Sequence, residues 1–305
     1  MDKDIDEEEI RFLCMASSKG TSALWFLVVS NIFLAISSTL GNTVILAALS
    51  KESSLHPPSK ILLRSLALTD LCVGLFAEPF FVTYLITLES GSKNICSQVI
   101  TISVFIDICF SLLSLFTLTA ISVDRLLALL LGIRYRQVVT VDRVLVIVIC
   151  FWTLCVTFSV TSFWSYKFLK YYSFISILLC VVISTCCYIK IHRKLSHHQP
   201  QIQEHIHRGQ QNGHAPLHMA RYRKTVSTAL WVQLMQVTCY LPAGIVSAFI
   251  VVDEMTAVVF MAWTFSLTLA FLNSTLNPIL YCWKIRDMRR AVEETVRQIC
   301  CCLSN

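Results

Sequence analysis

The sequence predicts an all-α membrane protein: a seven-transmembrane helix bundle followed by a short amphipathic eighth helix. Three observations carry that prediction. The 305 residues are 55% hydrophobic and only 14% charged, with a mean hydropathy of +0.66, too few polar side chains to cover a water-facing surface. Seven stretches are long and apolar enough to cross the hydrocarbon core, which takes about 20 residues of helix. Lysine and arginine gather in every second connection, as expected of a chain inserted with a fixed orientation.

The predicted spans are 22–49, 59–85, 97–130, 142–165, 170–193, 221–251 and 255–282. The bundle thus occupies 22–283, between an N-terminal tail (1–21) and a C-terminal segment (284–305). The tail is acidic (Asp2, Asp4, Asp6, Glu7, Glu8, Glu9) and lacks the charge pattern of a cleavable signal, so the first helix is expected to serve as its own anchor. Basic residues follow the first helix (Lys51, Lys60, Arg64), the third (Arg134, Arg136, Arg143), the fifth (Arg193, Lys194, Arg208, Arg221, Arg223, Lys224) and the seventh (Lys284, Arg286, Arg289, Arg290). This predicts a plasma-membrane protein with its N-terminus outside and its C-terminus in the cytoplasm. The net charge of +6 reads as topology, with no nucleic acid implied.

The stretch 194–220 is expected to be a flexible cytoplasmic loop. Seven of the eight histidines fall between His192 and His218, but their irregular spacing among Gln, Gly and Pro suits a polar linker better than a metal site. Of the fourteen cysteines, only Cys14 and Cys96 fall on the outer side; whether they pair is open at this level.

An ionisable or amide side chain at mid-membrane costs roughly 3 kcal/mol, so it normally faces the bundle interior. Asn42 lies in the first helix, Asp70 and Glu78 in the second, Asp107, Asp124 and Arg125 in the third, and Asn273, Ser274 and Asn277 in the seventh. Asp107 and Arg125 are eighteen residues apart, five turns and about 27 Å of rise, and so point the same way. Ser111 and Ser114 continue that line. Interhelical hydrogen bonding accounts for the serines. It does not account for Asp107, whose partner is expected to arrive from outside.

These residues resemble, in order and spacing, the rhodopsin-like (class A) G-protein-coupled receptors, over nearly the whole chain. LGNTVIL carries Gly41 and Asn42, SLALTDL carries Asp70, and SVDRLLALLLGIRYRQVVT resembles the DRY segment with Asp124 and Arg125. Trp152, Tyr188, Pro242 in CYLP, and NPILY from Asn277 to Tyr281 with Pro278 complete the set. The resemblance implies a receptor without enzymatic activity that binds an extracellular small-molecule ligand and activates a heterotrimeric G protein. It also implies contacts with membrane lipids, arrestin and a receptor kinase. No bound cofactor is implied beyond an allosteric sodium ion held by Asp70, Ser114, Asn273, Ser274 and Asn277, whose oxygens suit a hard cation. Asp124, Arg125, Tyr188, Pro242, Asn277, Pro278 and Tyr281 match the family's switch residues. A secondary transporter, the alternative of another class, should show paired internal repeats, and none is found.

The chain departs from the pattern at Leu126 (for Tyr), Gly132 (for Pro), Tyr222 (for an acid facing Arg125), Gln236 and Tyr240 (for Phe and Trp). Those departures lead us to expect noticeable ligand-free signalling. The tail KIRDMRRAVEETVRQI places Ile285, Met288, Val292, Val296 and Ile299 on one face. Cys300, Cys301 and Cys302 behind it are expected palmitoylation sites.

For the ligand, Asp107 matches the carboxylate that amine receptors pair with a protonated nitrogen. Ser173 and Ser176 match serines that bind ring hydroxyls. With Ser111, Tyr240, Phe271 and Glu78 they form the expected pocket, and a small cationic amine is the expected ligand. Other features are mixed. VGLFAEPF resembles the adenosine receptors, although Ser247 and Phe271 replace their nucleoside-reading residues. Cys180 in place of a proline and the short loop after the fourth helix resemble the melanocortin receptors, although Phe80, Ile100 and Val104 replace their acids. A peptide, nucleoside or lipid ligand is the alternative.

Overall fold

The computed structural model describes the backbone of residues 14, 22–51, 55–90, 93–161, 166–207, 215–252, 256–284 and 286–303. Within these it describes every side chain except those of 90, 93–94, 166–167, 195–207, 215–230, 232, 284, 286–287 and 299–303. The first helix is Ser22–Lys51 and the third Lys93–Leu131. The second runs as Pro57–Cys72, a π-helical turn Val73–Ala77, and Glu78–Ser90. The fourth is Val141–Val160, the fifth Tyr166–His207, the sixth Ala215–Val252, the seventh Ala257–Lys284 and the eighth Arg286–Leu303. Seven of them are long and apolar enough to cross a membrane, so the fold is an all-α seven-helix bundle.

The hydropathy limits agree with these helices to within a few residues at most ends. The exceptions are the fifth and sixth, which extend beyond the apolar stretch to His207 and back to Ala215. Helix therefore enters the 194–220 segment from both sides; 208–214 lie outside the described residues.

Outward faces are apolar because lipid is their solvent: Phe26 and Phe33 on the first helix, Val146 and Ile149 on the fourth, and Phe249 on the sixth are all exposed. Inward faces carry the polar residues. The third helix is the axis, packing against the second, fourth, fifth, sixth and seventh. At the π-helical turn the second helix lies directly on the first: a Cβ on Gly74 would stand 2.7 Å from Oγ1 and 2.9 Å from the backbone nitrogen of Thr39. Glycine is what permits that approach.

The eighth helix buries Met288, Ala291 and Thr295, with Val292 half-buried, and turns Arg289, Arg290, Glu293, Glu294 and Arg297 outward. It packs on the first and seventh helices, and Lys51 donates to Gln298. Val296, expected on the covered face, is exposed. Ile285 and the side chains of Ile299 and Cys300, Cys301 and Cys302 lie outside the described residues. At the other end of the bundle a disulfide joins Cys14 to Cys96.

Candidate functional site

Three polar levels follow one another along the third helix. At the first, a cavity of about 120 Å³ is walled by the third helix (Asp107, Ser111), fifth (Ser173), sixth (Tyr240) and seventh (Trp263). Asp107 is 4% exposed. Its Oδ2 accepts from Ser103 at 3.2 Å, while Oδ1 has no partner. The hydroxyl of Ser173 is likewise buried without one. A wall that is otherwise mostly apolar thus presents an acceptor on one helix and a hydroxyl on another. Tyr240 donates to the backbone oxygen of Ser111 at 3.4 Å.

Three residues expected in this pocket are not on its wall. Phe271, 1% exposed, packs edge-on against Phe81 with ring centroids 5.6 Å apart. One residue along a helix is a turn of about 100°, which leaves the neighbouring Ala270 on the wall and Phe271 behind it. Ser176 is buried against Tyr172, to which it hydrogen-bonds. Glu78 is fully buried beside the cavity, both carboxylate oxygens without a partner, within electrostatic reach of Asp107 and Asp70. Conversely, Lys170, Ser247, Trp263 and Ser266 line the cavity without having been expected there. Trp263, Ser266, Leu267 and Ala270 have the i, i+3, i+4, i+7 spacing of one helical face, the pattern that marks them in retrospect.

At the second level Asp70 gathers three helices. Its Oδ1 accepts from Ser114 at 2.8 Å and Ser274 at 2.9 Å, and its Oδ2 from Asn277 at 2.7 Å. Asn42 donates to the backbone oxygen of Ser274 at 3.1 Å, bringing in the first helix. Asn273 is buried with its side-chain nitrogen free of partners. The charge on Asp70 meets hydroxyls and an amide but no lysine or arginine in these contacts. Such an oxygen-rich set around one carboxylate fits a hard monovalent cation. Among the described residues no three His, Cys, Asp or Glu side chains gather as a transition metal would require. One turn beyond Asn277, the hydroxyl of Tyr281 is buried without a partner.

At the third level Asp124 accepts from Tyr135 at 2.5 Å and Ser59 at 3.0 Å and pairs with Arg125 at 3.3 Å. Tyr135 reaches it because Gly132, at φ +51°, ends the third helix in the left-handed region and turns the chain back. Ile133, at the apex of that turn, is 95% exposed. Leu126, in the place of the family's tyrosine, packs with Cys187 and Ile191 of the fifth helix. The side chain of Tyr222 lies outside the described residues. Tyr188 stands beside His192, and Pro242 and Pro278 sit inside the sixth and seventh helices.

The sequence model of the 7 transmembrane receptor (rhodopsin family) matches residues 41–169 and 157–281. Melanocortin receptor 4 of Danio rerio is 28% identical, over 90% of this chain and 85% of its own length. Adenosine receptor A2b of Bos taurus is 26% identical, over 88% of this chain and 89% of its own length. With the family model covering most of the chain, this protein belongs to the rhodopsin family of seven-transmembrane receptors.

Proposed function

We propose that this receptor stands in the plasma membrane with its N-terminus outside, binds a small cationic amine at Asp107, and drives nucleotide exchange on a heterotrimeric G protein at its Arg125 end. Membership of the family implies the outside ligand and the G protein. The amine rests on one observation: Oδ1 of Asp107, buried in the cavity wall, has no partner. A protonated nitrogen donating to it would satisfy that oxygen and neutralise the charge in one contact, a strong pairing away from water. Ser173 then offers a hydroxyl to a polar group on the ligand's far side.

We further propose that Asp70, Ser114, Asn273, Ser274 and Asn277 hold a sodium ion at rest, whose charge would balance Asp70. Asp70 ties the second helix to the seventh beside Pro278, where the backbone ladder lacks a donor and bends most easily. Release of that tie lets the half of the seventh helix that carries Tyr281 move relative to the third, where Arg125 exchanges its pairing with Asp124 for a partner protein.

The test is a panel of protonated amines, neutral nucleosides and peptides applied to the parent and to Asp107→Ala, with G-protein nucleotide exchange as the readout. The expected result is activation by an amine, weakened at least about 30-fold by the substitution. An uncharged agonist, or one equally potent on both proteins, would overturn the amine.

A further inference from the structure

The inward face of the sixth helix carries two glutamines one turn apart, Gln233 and Gln236, that are 5% and 0% exposed. Long polar side chains there need a reason, because apolar residues would pack against the third helix at no desolvation cost. Gln236 donates from Nε2 to Ser184 of the fifth helix at 3.2 Å and to Thr119 of the third at 3.4 Å. Ser184 donates to Thr119 at 3.3 Å, and Thr119 to the backbone oxygen of Leu115 at 2.9 Å. The protons run in one direction, from the sixth helix through the fifth into the third. One turn nearer Arg125, Ser122 of the third helix donates to Gln233 at 3.4 Å.

We propose that Gln236 is a positioning residue that holds the resting state of this receptor by clamping the third, fifth and sixth helices together through Ser184 and Thr119. For a partner protein to reach Arg125, whose side chain is 27% exposed, the ends of these three helices must part. In a bundle surrounded by lipid no bulk water replaces the broken hydrogen bonds, so parting leaves buried groups unsatisfied. Arg125 pairs with its neighbour Asp124 on the same helix, a contact that does nothing to hold the sixth helix. The clamp supplies that restraint as a neutral hydrogen-bond relay, so Gln236, one of the departures expected to raise ligand-free signalling, instead works against it.

Cys187 reports on it. This thiol is 7% exposed and shut between Leu126 and Ile191, where the third and fifth helices meet below the clamp. The experiment is N-ethylmaleimide labelling of the purified full-length protein without ligand, the rate at Cys187 followed by peptide mass spectrometry in the parent, Gln236→Met and Ser184→Ala. Methionine keeps the length of glutamine and removes its hydrogen bonds. Cys155 of the fourth helix, 1% exposed, sits on a helix that contributes no residue to the relay and is the internal control. Both variants are expected to label Cys187 about three- to twentyfold faster, the range for losing an interhelical hydrogen bond in a membrane, with Cys155 unchanged. Equal rates at Cys187, a rise in only one variant, or the same rise at Cys155 would overturn the clamp. Thr119→Val replaces whichever variant fails to fold.

Discussion

Asn277 donates its side-chain amide to Oδ2 of Asp70 across 2.7 Å, so the seventh helix is fastened to the second immediately before Pro278. Ser274, one turn earlier, grips the other carboxylate oxygen at 2.9 Å. Three donors from two helices surround one charge, and none of them is cationic. The proposed sodium ion would supply the positive charge that these three donors lack.

Sodium should therefore stabilise the purified receptor through Asp70. At a free concentration ten times its dissociation constant, a ligand bound only by the folded state contributes about 1.4 kcal/mol, which in a chain of this size raises Tm by roughly 2–4 °C. Melting in sodium chloride against potassium chloride at equal ionic strength measures it. The rise is expected in the parent and absent in Asp70→Asn; equal rises in both salts, or in both proteins, would remove the ion from this site.

The two serines of the fifth helix should behave differently despite lying one turn apart. Ser173 is on the cavity wall with a hydroxyl lacking a partner, whereas Ser176 is turned to Tyr172. For an amine agonist that carries a ring hydroxyl, Ser173→Ala should weaken potency about three- to tenfold, the worth of one neutral hydrogen bond. Ser176→Ala should leave it unchanged. Concentration–response curves for both variants decide the matter, and a larger loss at Ser176 would show that the ligand reaches deeper than this cavity.

That contrast also marks how far the sequence could be read. The spans were legible because a membrane helix must be continuous, apolar and about 20 residues long. The line from Asp107 through Ser114 to Arg125 was legible because polar residues in such helices face inward. Rotation about each helix was not. Lipid-facing and pocket-facing side chains are both apolar, so hydropathy could not place Trp263 on the wall, or put Ala270 rather than Phe271 there. Gln236 stood out as a departure, but its partners Thr119 and Ser184 carried no signal, since serine and threonine are common in packed membrane helices.

The disulfide ties the N-terminal tail to the start of the third helix across 82 residues of chain. Closing a loop of that length typically contributes 2–4 kcal/mol, so Cys14→Ser and Cys96→Ser should each lower Tm by several degrees. The double variant should fall no further than either single one, because both remove the same link. Thermal melting of the three proteins checks this; additive losses would mean that each cysteine contributes separately.

At the opposite end, Ile133 is the most exposed large hydrophobic side chain among the described residues. It is 95% accessible on a turn fixed from both sides, by the left-handed Gly132 and by Tyr135 bonded to Asp124. An isoleucine held out on a rigid support eight residues from Arg125 is placed to be covered by a protein that docks at this end, and burying such a side chain is worth about 2 kcal/mol. Ile133→Ala should therefore slow agonist-driven nucleotide exchange several-fold while leaving radioligand affinity without G protein unchanged. Gly132→Ala should produce the same pattern by straining the support, since a left-handed non-glycine residue costs about 1–3 kcal/mol. Full exchange in Ile133→Ala would place the partner's contact elsewhere on this end of the bundle.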